Sequence, residues 1–374
     1  MSGPDHQAPQ AIAAIDSHIT RLGVVLEPNG DPTETEGILN PATARARDGK
    51  LLMYPRMVAA ENKSRIGLVE TSGSEDAPLF TRAGFALEPA APYELRSGPG
   101  GFGCEDPRVT FVPLLDAYVM AYTAFGPAGP RVAIALSRDG YEWERLGLAD
   151  FSGRGLPCGD DKDAAFFPEP VLSPAGVTSF AFYHRPMLHL SAVDGAAAVP
   201  TILGMPASDR ESTRIAYVPV DAALADRKNL LKVAESVQVL APVDQWGRIK
   251  NGAGTPPVRI DEGWLSFFHG VDALYDREDK FAGFRYSAGI VVHDIERPDV
   301  VLYRSPQPLI VPETAAEVRG TVHNVVFPTA IDRRRSAAPR SYDVYYGMAD
   351  ARVGRLAVEI GAGRPAASAR ESAA

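Results

Sequence analysis

Gly103-Cys104-Glu105-Asp106-Pro107-Arg108 opens the stretch on which the reading of the chain turns, and the stretch closes on Arg131-Val-Ala-Ile-Ala-Leu-Ser137. Two apolar runs separated by turn residues read as two adjacent β-strands. A proline pushes the residue before it into extended backbone, so Glu105 and Asp106 sit at the mouth of a strand. Carboxylates rarely enter a sheet without partners or a polar cavity to receive them. The pair therefore marks a strand that lines a polar site.

Outward from this stretch the same arrangement recurs. Asn40-Pro41, Asp106-Pro107, Phe167-Pro168, Thr255-Pro256 and Phe327-Pro328 each precede a turn and an aromatic or apolar strand, and a second strand follows. Their spacing gives units of about 60 to 90 residues, the pattern of small sheets repeated around an axis. With 34 Gly and 32 Pro punctuating short apolar runs, the expected fold is all-β. Its architecture is a five-bladed β-propeller with a central funnel-shaped active site. Residues 1–20 read as an N-terminal leader, 21–360 as the propeller catalytic domain, and 361–374 as a disordered tail.

Composition narrows the function. An apolar share of 45% supports a large core, and a net charge of −9 with scattered Lys and Arg argues against nucleic acid as a partner. No run approaches the roughly 20 apolar residues of a membrane span. The first residues lack the basic and apolar regions of a signal peptide, so a cytoplasmic protein is expected. Cys104 and Cys158 do not form a disulfide framework, and Cys104 reads as a small buried filler. There is no HExxH or paired-cysteine metal signature, no Walker or dinucleotide loop, and no Gly-x-Ser-x-Gly. The glycine-rich run 98–103 leads to an extended acidic segment and reads as a loop beside the site.

Polar residues that interrupt the apolar strands are the candidates for the funnel: Asn40, Asp106, Lys162, Asp163, His184, Arg185, His269, Asn324 and Asp350. Carboxylates, amides and cations converging on one pocket suit a polyhydroxylated ligand, with Tyr and Phe offering faces to sugar rings.

These residues fall in segments that resemble a known family. Asn40-Pro41 with Lys50–Arg56, Ser64–Gly67, Glu105–Arg108, Arg131–Ser137, Lys162–Glu169, His184–Pro186, Gly263–Leu265 with His269-Gly270, Asn324–Pro328 and Tyr345–Asp350 together resemble glycoside hydrolase family 130. That family comprises five-bladed propeller enzymes, among them β-mannoside phosphorylases and a minority of β-mannosidases. The resemblance implies that Asp106 is the general acid, its proton reaching the glycosidic oxygen through a hydroxyl of the mannosyl ring. It implies that Lys162, Arg185 and His269 hold phosphate, and that Asn40, Arg56, Glu105, Asp163 and Asp350 contact substrate. Arg65 and Arg131 match weaker positions. The expected reaction is inverting phosphorolysis of a β-1,2- or β-1,4-mannoside to α-mannose 1-phosphate, with inorganic phosphate as co-substrate and no metal or other cofactor.

Two alternatives stay open: an inverting β-mannosidase on the same scaffold, or a propeller that binds sugar without turnover. A hydrolase would need a carboxylate to activate water, and Glu169 is the nearest by motif. For the acid, burial and Glu105 should raise the Asp106 pKa while Arg108 lowers it. The expected partners are an oligosaccharide and phosphate, with neither nucleic acid nor membrane, and a homo-oligomer is compatible. The insert 190–211 and the loop 273–285 are longer than a minimal blade needs.

Overall fold

The computed structural model describes residues 11–97, 100–153, 159–188 and 195–366. The chain is all-β. Strand β1 (Ile12–Leu26) is followed by β2 (Gly37–Arg45), β3 (Leu51–Ala59), β4 (Lys63–Gly73) and β5 (Pro78–Leu87). Next come β6 (Phe102–Val112), β7 (Ala117–Gly126), β8 (Gly129–Ser137) and β9 (Glu144–Leu148). The third group is β10 (Asp161–Phe166), β11 (Val171–Leu172), β12 (Thr178–Pro186), β13 (Thr213–Pro219) and β14 (Glu235–Leu240). The fourth is β15 (Lys250–Ala253), β16 (Val258–Ile260), β17 (Gly263–Tyr275), β18 (Phe281–His293) and β19 (Val301–Arg304), and the last is β20 (Val326–Arg333), β21 (Ser341–Met348) and β22 (Arg352–Pro365).

Strands pair antiparallel within each group. The first two groups merge into one eight-stranded sheet through two parallel pairings, Lys63 with Phe102 and Ser64 with Gly103. β1 adds to the last group, running antiparallel beside β22. Part of the expected leader is therefore sheet, and Gly361–Pro365 of the expected tail is its partner; residues 1–10 and 367–374 lie outside the described residues.

Alternation along the strands explains the packing. Along β7, Ala117, Val119 and Ala121 face one apolar seam, while Tyr118, Met120, Tyr122 and Ala124 face another. Both faces are buried, one against β12 and β13 (Phe180, Phe182, Val218) and the other against β2, β3 and β4 (Ala42, Tyr54, Ile66). β12 repeats the device, sending Ala181 and Tyr183 to a seam with Ala253 and Trp264. Leu265, Phe267 and Ile290 of the fourth group meet Val326, Val344 and Leu356 of the last. Ala330, Tyr345 and Val353 of the last meet Ile38, Met53 and Val69 of the first. The seams thus link the five groups in a closed succession. Each fully buried side chain such as Phe166 or Phe182 contributes about 1.5–3 kcal/mol, which makes these seams the main source of stability.

The opening strands carry a shared irregularity. Register slips between Leu39 and Ala42 in β2, between Glu105 and Arg108 in β6, and between Lys162 and Ala165 in β10. Inside each bulge one residue has left-handed backbone, Asn40 at φ 42°, Asp106 at 45° and Asp163 at 60°, so Asn40 and Asp106 depart from the extended backbone expected before Pro41 and Pro107. Asn and Asp tolerate this region better than other side-chain-bearing residues, and a bulge re-aims the side chain it carries. The other three expected proline markers are out of phase with this pattern, and Phe327-Pro328 is paired in register within β20 with the slip following it. Phe167-Pro168 and Thr255-Pro256 lie just past the ends of β10 and β15, and the third bulge is Asp163-Ala164, without proline.

The long segments also resolve. Residues 273–285 are not a loop but the arm of the β17–β18 hairpin. Helix α1 (Gly195–Gly204) packs Val199, Ile202 and Leu203 onto Phe281 and Phe284 of that arm, while residues 190–194 of the insert lie outside the described residues.

Candidate active site

The three bulges point their polar side chains into one cavity of about 180 Å³. Asn40, Arg56, Asp106, Lys162, Asp163, Arg185, His269 and Asp350 line it, joined by Met187, Lys250, Tyr286, Val325 and Phe327. Eight of the expected site residues, drawn from β2 through the turn after β21, therefore share a single space. A larger cleft of about 560 Å³ lies elsewhere, beside Trp143 and Arg227, and contains none of them.

Asp106 is held from two sides. Asn40 Nδ2 donates to its Oδ1 at 2.9 Å, and Arg56 Nη1 lies 3.3 Å from the same oxygen. Gly347 permits the Asn40 placement, since a Cβ there would fall 1.9 Å from Asn40 Oδ1. Glu105 does not line the cavity; it lies behind, taking Arg56 at 2.9 Å and Lys162 at 3.2 Å. Burial pushes the Asp106 pKa up, but Arg56, Lys162 and Arg108, with the Asn40 hydrogen bond, outweigh it and hold the carboxyl below its ordinary value. The expected contest is thus decided for the cations. Asp350 differs: burial first, then Asp106, pushes its carboxyl up to about 6 against Arg56 and Lys162.

Arg108 forms the floor. Its Nε donates to Gly254 O at 2.8 Å and its Nη1 to Asp106 O at 2.7 Å, and the guanidinium lies 5.5 Å from the Phe327 ring centroid. It ties the second group of strands to the fourth beneath the cavity.

The opposite end is cationic but already furnished with carboxylates. Arg185 Nε donates to Asp163 Oδ2 at 2.6 Å, and Arg185 Nη1 is paired with Glu211. His269 is 1% exposed. Burial, with Arg185, Lys250 and Arg108, pushes its pKa down to about 3 although Asp163 opposes this, so the ring is neutral at physiological pH. Neither ring nitrogen has a hydrogen-bond partner among the described residues, and buried polar atoms left in that state point toward a ligand. A Cβ at Gly252 would fall 2.2 Å from Asp163 Oδ2 and 2.4 Å from the His269 ring, so glycine keeps this end open.

Sequence reasoning missed Lys250 and Tyr286. Lys250 lies at the cavity with its Nζ 5.7 Å from the Tyr286 ring centroid, and no ion pair involves it among the described residues. The out-of-phase Pro256 marker hid it, because it placed the opening strand after residue 256 rather than at Lys250–Ala253. Tyr286 lies in β18, away from the opening strands that carry the polar motifs.

Several expected residues fall elsewhere. His184 is a core histidine, its Nδ1 2.7 Å from Asp161 and its Nε2 2.8 Å from Ser236 Oγ, stacked on Phe151. Asn324 is outside the cavity lining and offers its backbone carbonyl to Tyr286 N. Arg65 pairs with Glu88 and Arg131 with Asp160, both outside the cavity. Glu169, the expected base of a hydrolase, is 45% exposed and pairs with Arg259 at 2.7 Å. Cys104 is buried in the seam between the first two groups, and Cys158 lies outside the described residues. Among the described residues no group of three His, Cys, Asp or Glu side chains could hold a metal ion, and no helix is long and apolar enough to cross a membrane.

The chain is similar to known mannoside phosphorylases. The family profile described as beta-1,4-mannooligosaccharide phosphorylase matches residues 214–360. The 1,2-beta-oligomannan phosphorylase of Thermoanaerobacter sp. (strain X514) is 26% identical over 262 residues, 69% of either chain. The fold is shared with the Beta-1,2-Mannobiose phosphorylase from Listeria innocua, whose structure superposes with a TM-score of 0.65 at 20% identity, covering 91% of this chain and 96% of that one. It is shared equally with a structure described by the words "The GH130 family of mannoside phosphorylases contains glycoside hydrolases that target beta-1,2 mannosidic linkages in Candida mannan", at a TM-score of 0.65 and 19% identity over 96% of this chain and 95% of that one. By profile over residues 214–360, by sequence and by fold, the chain is similar to the mannoside phosphorylases of glycoside hydrolase family 130.

Proposed function

We propose that the chain is an inverting glycoside phosphorylase built as a five-bladed β-propeller. On this reading it cleaves a β-1,2- or β-1,4-mannoside with inorganic phosphate and releases α-mannose 1-phosphate. The observation that carries the reading is the division of one cavity into two ends: Asp106 with Asn40 and Arg56 at one, and at the other Arg185, Lys250 and His269, whose ring nitrogens have no hydrogen-bond partner among the described residues. The closed succession of apolar seams supports the propeller, because it brings strands distant in sequence around a common space.

In this scheme a sugar sits between the ends. Asn40, Arg56 and Asp350 hold its hydroxyls, and Asp106 supplies the proton to the leaving oxygen through a ring hydroxyl. Phosphate, held by Lys250, Arg185, Lys162, His269 and Tyr286, attacks from the far face. Asp106 is kept ionised by its cations. A bound phosphate adds negative charge that offsets those cations and raises the carboxyl's affinity for a proton. Binding of the nucleophile therefore arms the acid. Glu169, the nearest base by motif for a hydrolase, lies outside the cavity and pairs with Arg259, which favours the phosphorylase reading.

The test is a screen of β-linked mannobioses and mannosyl-glucose with and without phosphate. Sugar 1-phosphate release that needs phosphate supports the proposal. Free mannose released equally without phosphate supports a hydrolase instead, and binding without turnover supports a sugar-binding propeller.

A further inference from the structure

The cationic end contains a carboxylate that phosphorolysis does not require. Asp163 is 2% exposed, fixed by left-handed backbone in the β10 bulge, with Oδ2 on Arg185 Nε and 3.8 Å from His269 Nε2. Its Oδ1 lies 3.9 Å from Arg108 Nη2. Burial opposes its ionisation, but Arg185, His269 and Arg108 hold it well below the ordinary carboxylate range, so it is an acceptor only. Arg185, Lys250 and His269 offer donors to an incoming anion. Any anion oxygen that reaches Asp163 instead meets lone pairs.

A proton on that oxygen converts the repulsion into a charge-assisted O–H···O bond. Orthophosphate carries such a proton at neutral pH, and sulfate does not. The neighbouring charges add to the effect, since Arg185 is shared with Asp163 and Glu211, and Lys162 is bonded to Glu105. An unprotonated dianion therefore finds Lys250 as the cavity cation not already committed to a carboxylate among the described residues.

We propose that Asp163 is a selectivity residue that accepts a hydrogen bond from the P–OH of the bound nucleophile, so that the cavity takes protonated tetrahedral oxyanions and rejects sulfate. The proposal rests on the phosphorylase reading and concerns which anion, in which protonation state, serves it. An unprotonated phosphate oxygen gives its electron pair to the anomeric carbon. The glycosidic C–O bond breaks with its pair on the leaving oxygen, which takes the proton supplied by Asp106. The P–OH proton stays on the sugar phosphate, which leaves as the monoanion and loses it to water, while Asp106 regains a proton from water, so charge and protons balance.

The experiment is steady-state phosphorolysis by the full chain with phosphate varied and arsenate or sulfate as competitor, with calorimetric titration of the same anions. Arsenate, protonated at pH 7, should compete within about tenfold of phosphate, while sulfate should bind at least about 100-fold more weakly, the scale on which a buried acceptor rejects a ligand lacking its donor. In Asp163→Asn, whose amide can donate to an anion oxygen and whose carbonyl still accepts from Arg185, sulfate should come within about fivefold of phosphate. Sulfate competing as well as phosphate in the unaltered chain overturns the proposal, as does unchanged rejection of sulfate in Asp163→Asn. If that variant does not fold, the unaltered chain's selectivity decides alone. Calorimetric preference for phosphate over sulfate without phosphate-dependent turnover would sink the phosphorylase reading and leave the Asp163 assignment standing. Binding of neither anion sinks both.

Discussion

Asn40 Nδ2 donates to Asp106 Oδ1 at 2.9 Å, joining residues 66 positions apart at two bulges of the same kind. Each pays for left-handed backbone, and the bond between them fixes the carboxyl where a leaving group would arrive. Asp106→Asn keeps the shape and removes the proton. Turnover should fall by about 10²–10⁴, the usual worth of a general acid. The melting temperature should change little, because Arg56 keeps Glu105. Unchanged rates would remove Asp106 from the mechanism.

Arg185 serves both binding and stability. Arg185→Ala should raise the phosphate KM by about 100-fold with a smaller change in the sugar KM, since charge-assisted contacts to the anion are lost. It also strands Asp163 and Glu211, and removing one partner of a buried ion pair costs about 3–5 kcal/mol. Arg185→Lys should restore part of the stability but not the phosphate KM, because lysine lacks the guanidinium fork. Separate phosphate and sugar KM determinations, with thermal melts, check this; a selective effect on the sugar KM would contradict it.

Asp350 makes a pH-dependent prediction. Its pKa in the fold is raised to about 6, above the ordinary value near 3.9 of an unfolded aspartate. A raised acid favours folding while it stays protonated, so its contribution is present below about pH 4 and is lost as pH rises through about 6. Asp350→Asn should therefore melt at a higher temperature than the unaltered chain above pH 6, with the gap closing toward pH 4. Parallel melting curves across that range would contradict the assignment. Activity should still drop in the variant through lost contact with the sugar.

Arg108 has no exposed side-chain surface and bonds backbone carbonyls of two different strand groups. Arg108→Met should cost about 3 kcal/mol, from the carbonyls left unsatisfied and the uncompensated Asp163 nearby. Chemical denaturation reads this directly. Unaltered stability would show that water replaces the guanidinium.

Much of the site was legible where a bulge coincides with Asn-Pro or Asp-Pro, because proline and left-handed Asn or Asp mark the same kink twice. At Asp163-Ala164 the proline is absent, and the phase slipped to Phe167-Pro168. A like slip to Thr255-Pro256 concealed Lys250, whose strand contains no proline. His184 misled because a polar residue inside an apolar strand need not face a cavity; Asp161 and Ser236, distant in sequence, satisfy it within the core. The β1–β22 pairing joins the two ends of the chain, and local pattern carries no trace of so distant a partner.

The central claim is tested most directly by following the reaction with 31P and 1H NMR in phosphate buffer and in a phosphate-free buffer. The account predicts α-configured mannose 1-phosphate as the first product, formed only with phosphate and lost in Asp106→Asn. Free mannose appearing at the same rate in both buffers would contradict it.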